Sequence, residues 1–148
     1  MGKKNKKGKK NSRPKPVTLN ANNADRHILY ENSVQSVESE IDFIDSTFAS
    51  FNGRAAQYLR EDFCGTANSS CEWVRRRPGN YAIGVDLDEG VTAWGQTHHI
   101  EKLTDDEQSR IGIVHDNVLT VSTPPQDIVL AMNFSYFIFK TRDQLRSY

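Results

Sequence analysis

Residues 61–67 read E-D-F-C-G-T-A, a carboxylate pair and one glycine among small residues, just ahead of the helix-like stretch Cys71-Glu72-Trp73-Val74. Further polar positions follow at intervals. Asp86 closes the apolar run Y-A-I-G-V (81–85), Asp116 and Asn117 follow I-G-I-V (111–114), and Asn133 follows D-I-V-L-A-M (127–132). Carboxylates and amides that close successive apolar runs suit a ligand rich in hydroxyl and amino groups, because one carboxylate accepts from both hydroxyls of a ribose diol. Asp86 stands 25 residues after Glu61, close to the length of one strand–helix–strand unit.

The elements that must position these residues are legible from the apolar pattern. The runs at 81–85, 111–114 and 127–132 are, apart from the leading Asp127, short and near-continuously apolar, as strands buried on both faces are; A-A-Q-Y-L-R-E-D (55–62) is a weaker strand candidate. Between them lie helical stretches, one from the E-D-F-C-G-T-A motif through Val74 to R-R-R-P-G-N, another with Val91, Trp94 and His98 on one face to about Leu103. Arg75 to Arg77 suit a helix C-terminus and Pro78-Gly79 ends it. Upstream, Val34, Val37, Ile41, Ile44 and Phe48 recur at steps of three and four, which predicts one or two amphipathic helices ending near Asn52-Gly53. Strands alternating with helices predict an α/β, Rossmann-like open parallel sheet with helices on both faces. In such a sheet ligands bind beyond the carboxyl ends of the strands, where all the polar positions fall.

E-D-F-C-G-T-A, G-V-D-L-D, H-D-N-V and D-I-V-L-A-M-N-F-S-Y together resemble the first four motifs of class I S-adenosylmethionine (SAM)-dependent methyltransferases, over roughly residues 55–148. The resemblance implies that Glu61, with Asp62 sharing its role, takes the acidic position opening the first motif, and that Gly65 is the one survivor of three glycines. Phe63 and Ala67 stand at the other two; Phe63 is expected to force a locally different loop. It further implies that Glu61, Asp62 and Gly65 shape the pocket around methionine and ribose, that Asp86 holds the ribose, and that Asp116 and Asn117 meet the adenine. Asn133 falls on the acceptor side, the position nearest the chemistry. SAM is the implied cofactor and methyl transfer the implied activity, with the acceptor unassigned. A nicotinamide-binding fold uses the same sheet but wants G-x-G-x-x-G, which F-C-G-T-A-N does not supply.

The 148 residues suffice for one domain, 36% of them hydrophobic. Nineteen basic and nineteen acidic residues cancel, yet residues 1–16 hold seven Lys and one Arg and no acid, leaving the remainder at 11 basic against 19 acidic. Residues 1–24 are read as a basic disordered tail making nonspecific, salt-sensitive contact with nucleic acid, residues 25–56 as a helical lead-in and 57–148 as the SAM-binding domain. No apolar run is long enough for a membrane span. Cys64 and Cys71, outside any C-x-x-C, fit a reducing cytoplasm. Their spacing to His98 and His99 matches no common zinc pattern, so no metal is expected. Trp73 and Trp94 read as core residues, and Phe137 to Phe139 as core or interface. The methyltransferase sheet has seven strands and four are found here, so the sequence reads as truncated after the fourth. D-I-V-L-A-M is then left as a bare edge open to self-association, with weak or no methyl transfer. Two other readings stay open: a non-catalytic adenosyl-binding fragment, and a nucleic-acid-associated protein acting through its tail.

Overall fold

The computed structural model describes residues 20, 23–133 and 135–148; nearly all of the basic tail, including residues 1–16, lies outside them. The amphipathic lead-in forms two helices. Helix α1 (Arg26–Val34) begins at Asp25, whose carboxylate accepts from the His27 and Ile28 amides, and α2 (Val37–Asn52) ends on Gly53 in the left-handed conformation. Strand β1 (Tyr58–Asp62) leads through the loop to α3 (Asn68–Arg76), then β2 (Tyr81–Asp86) and α4 (Glu89–His98). A 3₁₀ turn at Ile100–Lys102 and the short α5 (Asp105–Gln108), closed by a Thr104/Glu107 capping box, precede β3 (Ile111–His115). Strand β4 (Ile128–Leu130), a second 3₁₀ turn (Ser135–Ile138) and α6 (Arg142–Ser147) complete the chain. The second helical stretch therefore stops short of the expected Leu103, because the backbone tightens at His99.

All four strands are parallel, in the order β3-β2-β1-β4. Registers Leu59↔Ala82 and Leu59↔Ile128, with Ala82↔Ile111, put Leu59, Ala82, Ile111 and Ile128 on one face. That face, with Leu130 and Ile113, packs on Ile41, Cys71, Trp73 and Val74 from α2 and α3. Each such fully buried aliphatic side chain contributes roughly 1.5–3 kcal/mol. The C-terminal carbonyls of α3 are satisfied from outside the helix: Asn80 donates to Trp73 O at 2.8 Å, and the buried Arg110 donates to Val74 O at 2.9 Å while also bonding Asn80 O, in the turn beyond the helix, at 2.7 Å. Arg77 makes a bidentate pair with Asp45 at 2.6 and 2.8 Å, which ties α3 to α2.

The opposite face carries stacked Tyr58 and Tyr81 at 5.5 Å, and meets α6 where the Tyr148 hydroxyl donates to Asp62. At the edge, β4 is pinned by Asp127, which accepts from the Gln57 and Tyr58 amides and pairs with Arg54 at 2.6 Å. The Arg54 guanidinium holds its carboxyl down at about 2. No helix among the described residues is long and apolar enough to cross a membrane.

Candidate functional site at the strand carboxyl ends

The loop between β1 and α3 sets the site. Phe63, Gly65 and Ala67 have φ of 58°, 52° and 56°, so all three alternate positions adopt the left-handed region that favours glycine. Phe63 takes the conformation itself, with its ring against Phe139 at 5.9 Å and Tyr148 at 6.0 Å. Ala67 is buried and directly precedes α3, where its left-handed geometry turns the chain into the helix.

Neighbouring glycines explain how tightly this loop is held. A Cβ on Gly95 of α4 would lie 2.3 Å from the Thr66 carbonyl oxygen, and one on Gly84 of β2 would lie 2.8 Å from Cys64 Sγ. Cys64 is thus a small buried loop residue, and burial drives its thiol far above the ordinary range. Cys71 packs on α3, its thiol pushed up to about 12 by burial.

Asp86, at the end of β2, accepts from Gly65 N–H at 2.8 Å on one oxygen and from Asp88 N–H at 2.9 Å on the other. A carboxylate has about four lone-pair sites, so both oxygens retain acceptor capacity toward the cavity that they line. That cavity, ≈ 260 Å³, brings Asp86, Asp116 and Asn117 together with Phe63, Leu87, Ile138 and Phe139. A second, of ≈ 180 Å³, is lined by Glu61, Asp62, Gly65, Thr66 and Asn133, with His27 and Tyr30 of α1. Phe63 borders both. Asn133 has φ 57°, which turns the chain sharply after β4.

The two acids of the motif differ in environment. Glu61 is buried, and its Oε2 accepts from Ser70 N–H at 2.9 Å and Ser70 Oγ–H at 2.6 Å, which ties β1 to the first turn of α3. Burial without a cation raises its carboxyl to about 7. Asp62 is held by Arg60 at 2.6 and 3.2 Å and by the Tyr148 hydroxyl at 2.9 Å.

Several lining residues were not among those the sequence singled out. Phe139 and Ile138 line the larger cavity, although the F-I-F run read as core or interface. His27 and Tyr30 come from a helix whose sequence gives no sign of folding back. Trp94, expected in the core, is instead half-buried under α1, stacked on His98 at 3.9 Å and donating to Asp25 at 2.9 Å. Trp73 is fully buried. Among the described residues no group of three or more His, Cys, Asp or Glu is placed to hold a metal ion.

No protein-family model matches the sequence, and no curated protein matches it. Solved structures do match. The sugar N-methyltransferase KedS8 from Streptoalloteichus aligns with TM-score 0.64 at 17% identity, over 95% of this chain and 52% of its own. CalS10, a SAM-bound amino pentose methyltransferase from Micromonospora echinaspora, aligns with TM-score 0.63 at 15% identity, over 91% and 51%. The glycopeptide N-methyltransferase MtfA aligns with TM-score 0.59 at 16% identity, over 89% and 54%. The chain spans about half the length of these structures. Its fold is that of the SAM-dependent class I methyltransferases.

Proposed function

We propose that this chain binds SAM across the two cavities and acts in methyl transfer. One observation carries the reading. The loop 63–67 holds three left-handed residues at alternate positions and ties its Gly65 amide to Asp86, which shares a cavity with Asp116 and Asn117. Backbone that approaches a ligand closely, beside a carboxylate suited to a diol, is what an adenosyl group requires.

When bound, SAM supplies a methyl group on a sulfonium, an electrophile that needs no activation by the protein. Asp86 accepts from the ribose hydroxyls while keeping the Gly65 amide in place. Asp116 and Asn117 offer an acceptor and an amide to the adenine edge, and Leu87, Ile138 and Phe139 give it apolar walls. Gly65 and its neighbours leave room for the chain leading toward the methionine end. Glu61 holds the loop to α3 from below, and Asp62 fixes the end of β1 through Arg60. Asn133 lines the acceptor side and orients the incoming nucleophile. The protein's contribution is positioning and exclusion of water. Residues 1–16 add nonspecific attraction to polyanions, and the edge of β4 is a surface for self-association.

The test is Asp86→Ala, assayed for S-adenosylhomocysteine by calorimetry. Loss of charge-assisted bonds worth roughly 1.5–3 kcal/mol each lowers affinity tenfold or more. Unchanged affinity removes Asp86 from the site.

A further inference from the structure

Helix α1 contributes no buried residue, and Ile28, Leu29, Tyr30 and Val34 on it are all exposed. Apolar packing does not hold it in place; polar contacts to the cofactor loop and α4 do. Glu31 Oε1 accepts from Thr66 Oγ1 and from His99 Nε2, each at 2.7 Å. Gln35 Oε1 accepts from Asn68 Nδ2 at 3.0 Å. Trp94 Nε1 donates to Asp25 at 2.9 Å, with the His27 ring 4.9 Å away.

The contacts of Glu31 to Thr66 and of Gln35 to Asn68 fall on the residues that flank Ala67, the left-handed alanine of the loop. A non-glycine residue is disfavoured there, and glycine is not. Glu31 grips Thr66 on one side, Gln35 grips Asn68 on the other, and the strained residue lies between them. The same helix and its C-terminal cap supply His27, Tyr30 and Gln35 to the wall of the cavity bordered by Gly65 and Thr66.

We propose that Glu31 and Gln35 are positioning residues for the cofactor loop. Docked α1 holds Ala67 in the conformation that a glycine would adopt without help, so the loop accepts an adenosyl ligand only with α1 in place. The proposal rests on the SAM-binding reading. It makes the lead-in helix part of the ligand site, coupled to it by two side chains 31 and 35.

Calorimetric titration of S-adenosylhomocysteine into the full chain tests it, with folding checked by thermal melting. Glu31→Ala should bind about tenfold more weakly, the factor by which a left-handed alanine is disfavoured against glycine. Glu31→Gln, which still offers a carbonyl oxygen to Thr66, should lose less. Adding Ala67→Gly to Glu31→Ala should restore most of the affinity, because the clamp then has no strain to hold. Should Glu31→Ala fail to fold, Glu31→Gln with and without Ala67→Gly carries the same comparison. Wild-type affinity in the Glu31 variants overturns the proposal, as does a loss that Ala67→Gly does not repair. A folded wild-type chain that does not bind S-adenosylhomocysteine overturns the SAM-binding reading itself, and the clamp with it.

Discussion

Gly95 lies within α4, and by helix propensity alone Gly95→Ala should stabilise the chain by about 1 kcal/mol. The structure reverses that sign. An added Cβ meets the Thr66 oxygen at 2.3 Å, the Thr66 carbonyl carbon at 2.6 Å and its Cα at 2.8 Å. These are backbone atoms, so no rotamer change relieves the overlap and either α4 or the loop 63–67 must shift. Overpacking of this kind costs roughly 1–3 kcal/mol; contact with backbone puts it at the upper end, and subtracting the propensity gain leaves about 2 kcal/mol of destabilisation. At roughly 2–4 °C per kcal/mol the melting temperature should fall by about 4–8 °C. Gly112→Ala on β3 is the control, since a Cβ there has nothing within 4 Å, and it should leave melting nearly unchanged. Differential scanning calorimetry of both variants decides. A melting temperature for Gly95→Ala equal to or above that of the parent would show that α4 does not pack on the loop backbone as described.

Other outcomes follow from the site's electrostatics and caps. Glu61, raised to about 7 by burial, binds a proton in the folded state between pH 4.5 and 7 that the unfolded state has released. Stability should therefore fall as pH rises through that window, by up to about 3 kcal/mol; Glu61→Gln should flatten the slope in pH-dependent chemical denaturation, and an unchanged slope would contradict the burial argument. Asp88, beside the proposed ribose ligand, caps α4 through the Gly90 and Val91 amides. Asp88→Ala should therefore cost about 1 kcal/mol of stability while affecting adenosyl affinity less than Asp86→Ala, and the reverse order would exchange their roles. Arg110→Met should destabilise by roughly 1–3 kcal/mol, because the carbonyls of Val74 in α3 and of Asn80 beyond it lose their buried donor; denaturant midpoints equal to the parent's would show the contacts to be idle.

Strands β2, β3 and β4 were legible as short apolar runs, whereas β1, Y-L-R-E-D, was the weaker candidate because Arg60, Glu61 and Asp62 in it are charged. The expected burial on both faces fails on the side away from α2 and α3 at Tyr58, Tyr81 and Val129, which are exposed. Asp86, Asp116 and Asn117 were legible as a group, since strand order brings strand ends together however far apart they lie in the chain. The backbone conformation that Phe63 adopts was not legible. A bulky residue at a glycine position argues against the left-handed backbone locally, but packing on Phe139 and Tyr148, 76 and 85 residues away, holds it there. Glu31, Gln35 and His27 could not be found from the sequence. Their helix carries weak apolar periodicity, and what seats it is a set of polar contacts to residues 33 to 69 positions downstream. Arg110 was hidden likewise, since a buried cation is recognised only by the carbonyls around it.

Calorimetric titration of the folded chain with S-adenosylhomocysteine and, separately, with NAD tests the central claim most directly. Asp86 suits the ribose of either ligand, but the loop 63–67 lacks the glycine pattern that a dinucleotide pyrophosphate needs. Saturable binding of S-adenosylhomocysteine with no binding of NAD is the expected result. Binding of NAD alone, or of neither ligand by a chain that melts cooperatively, would contradict the account.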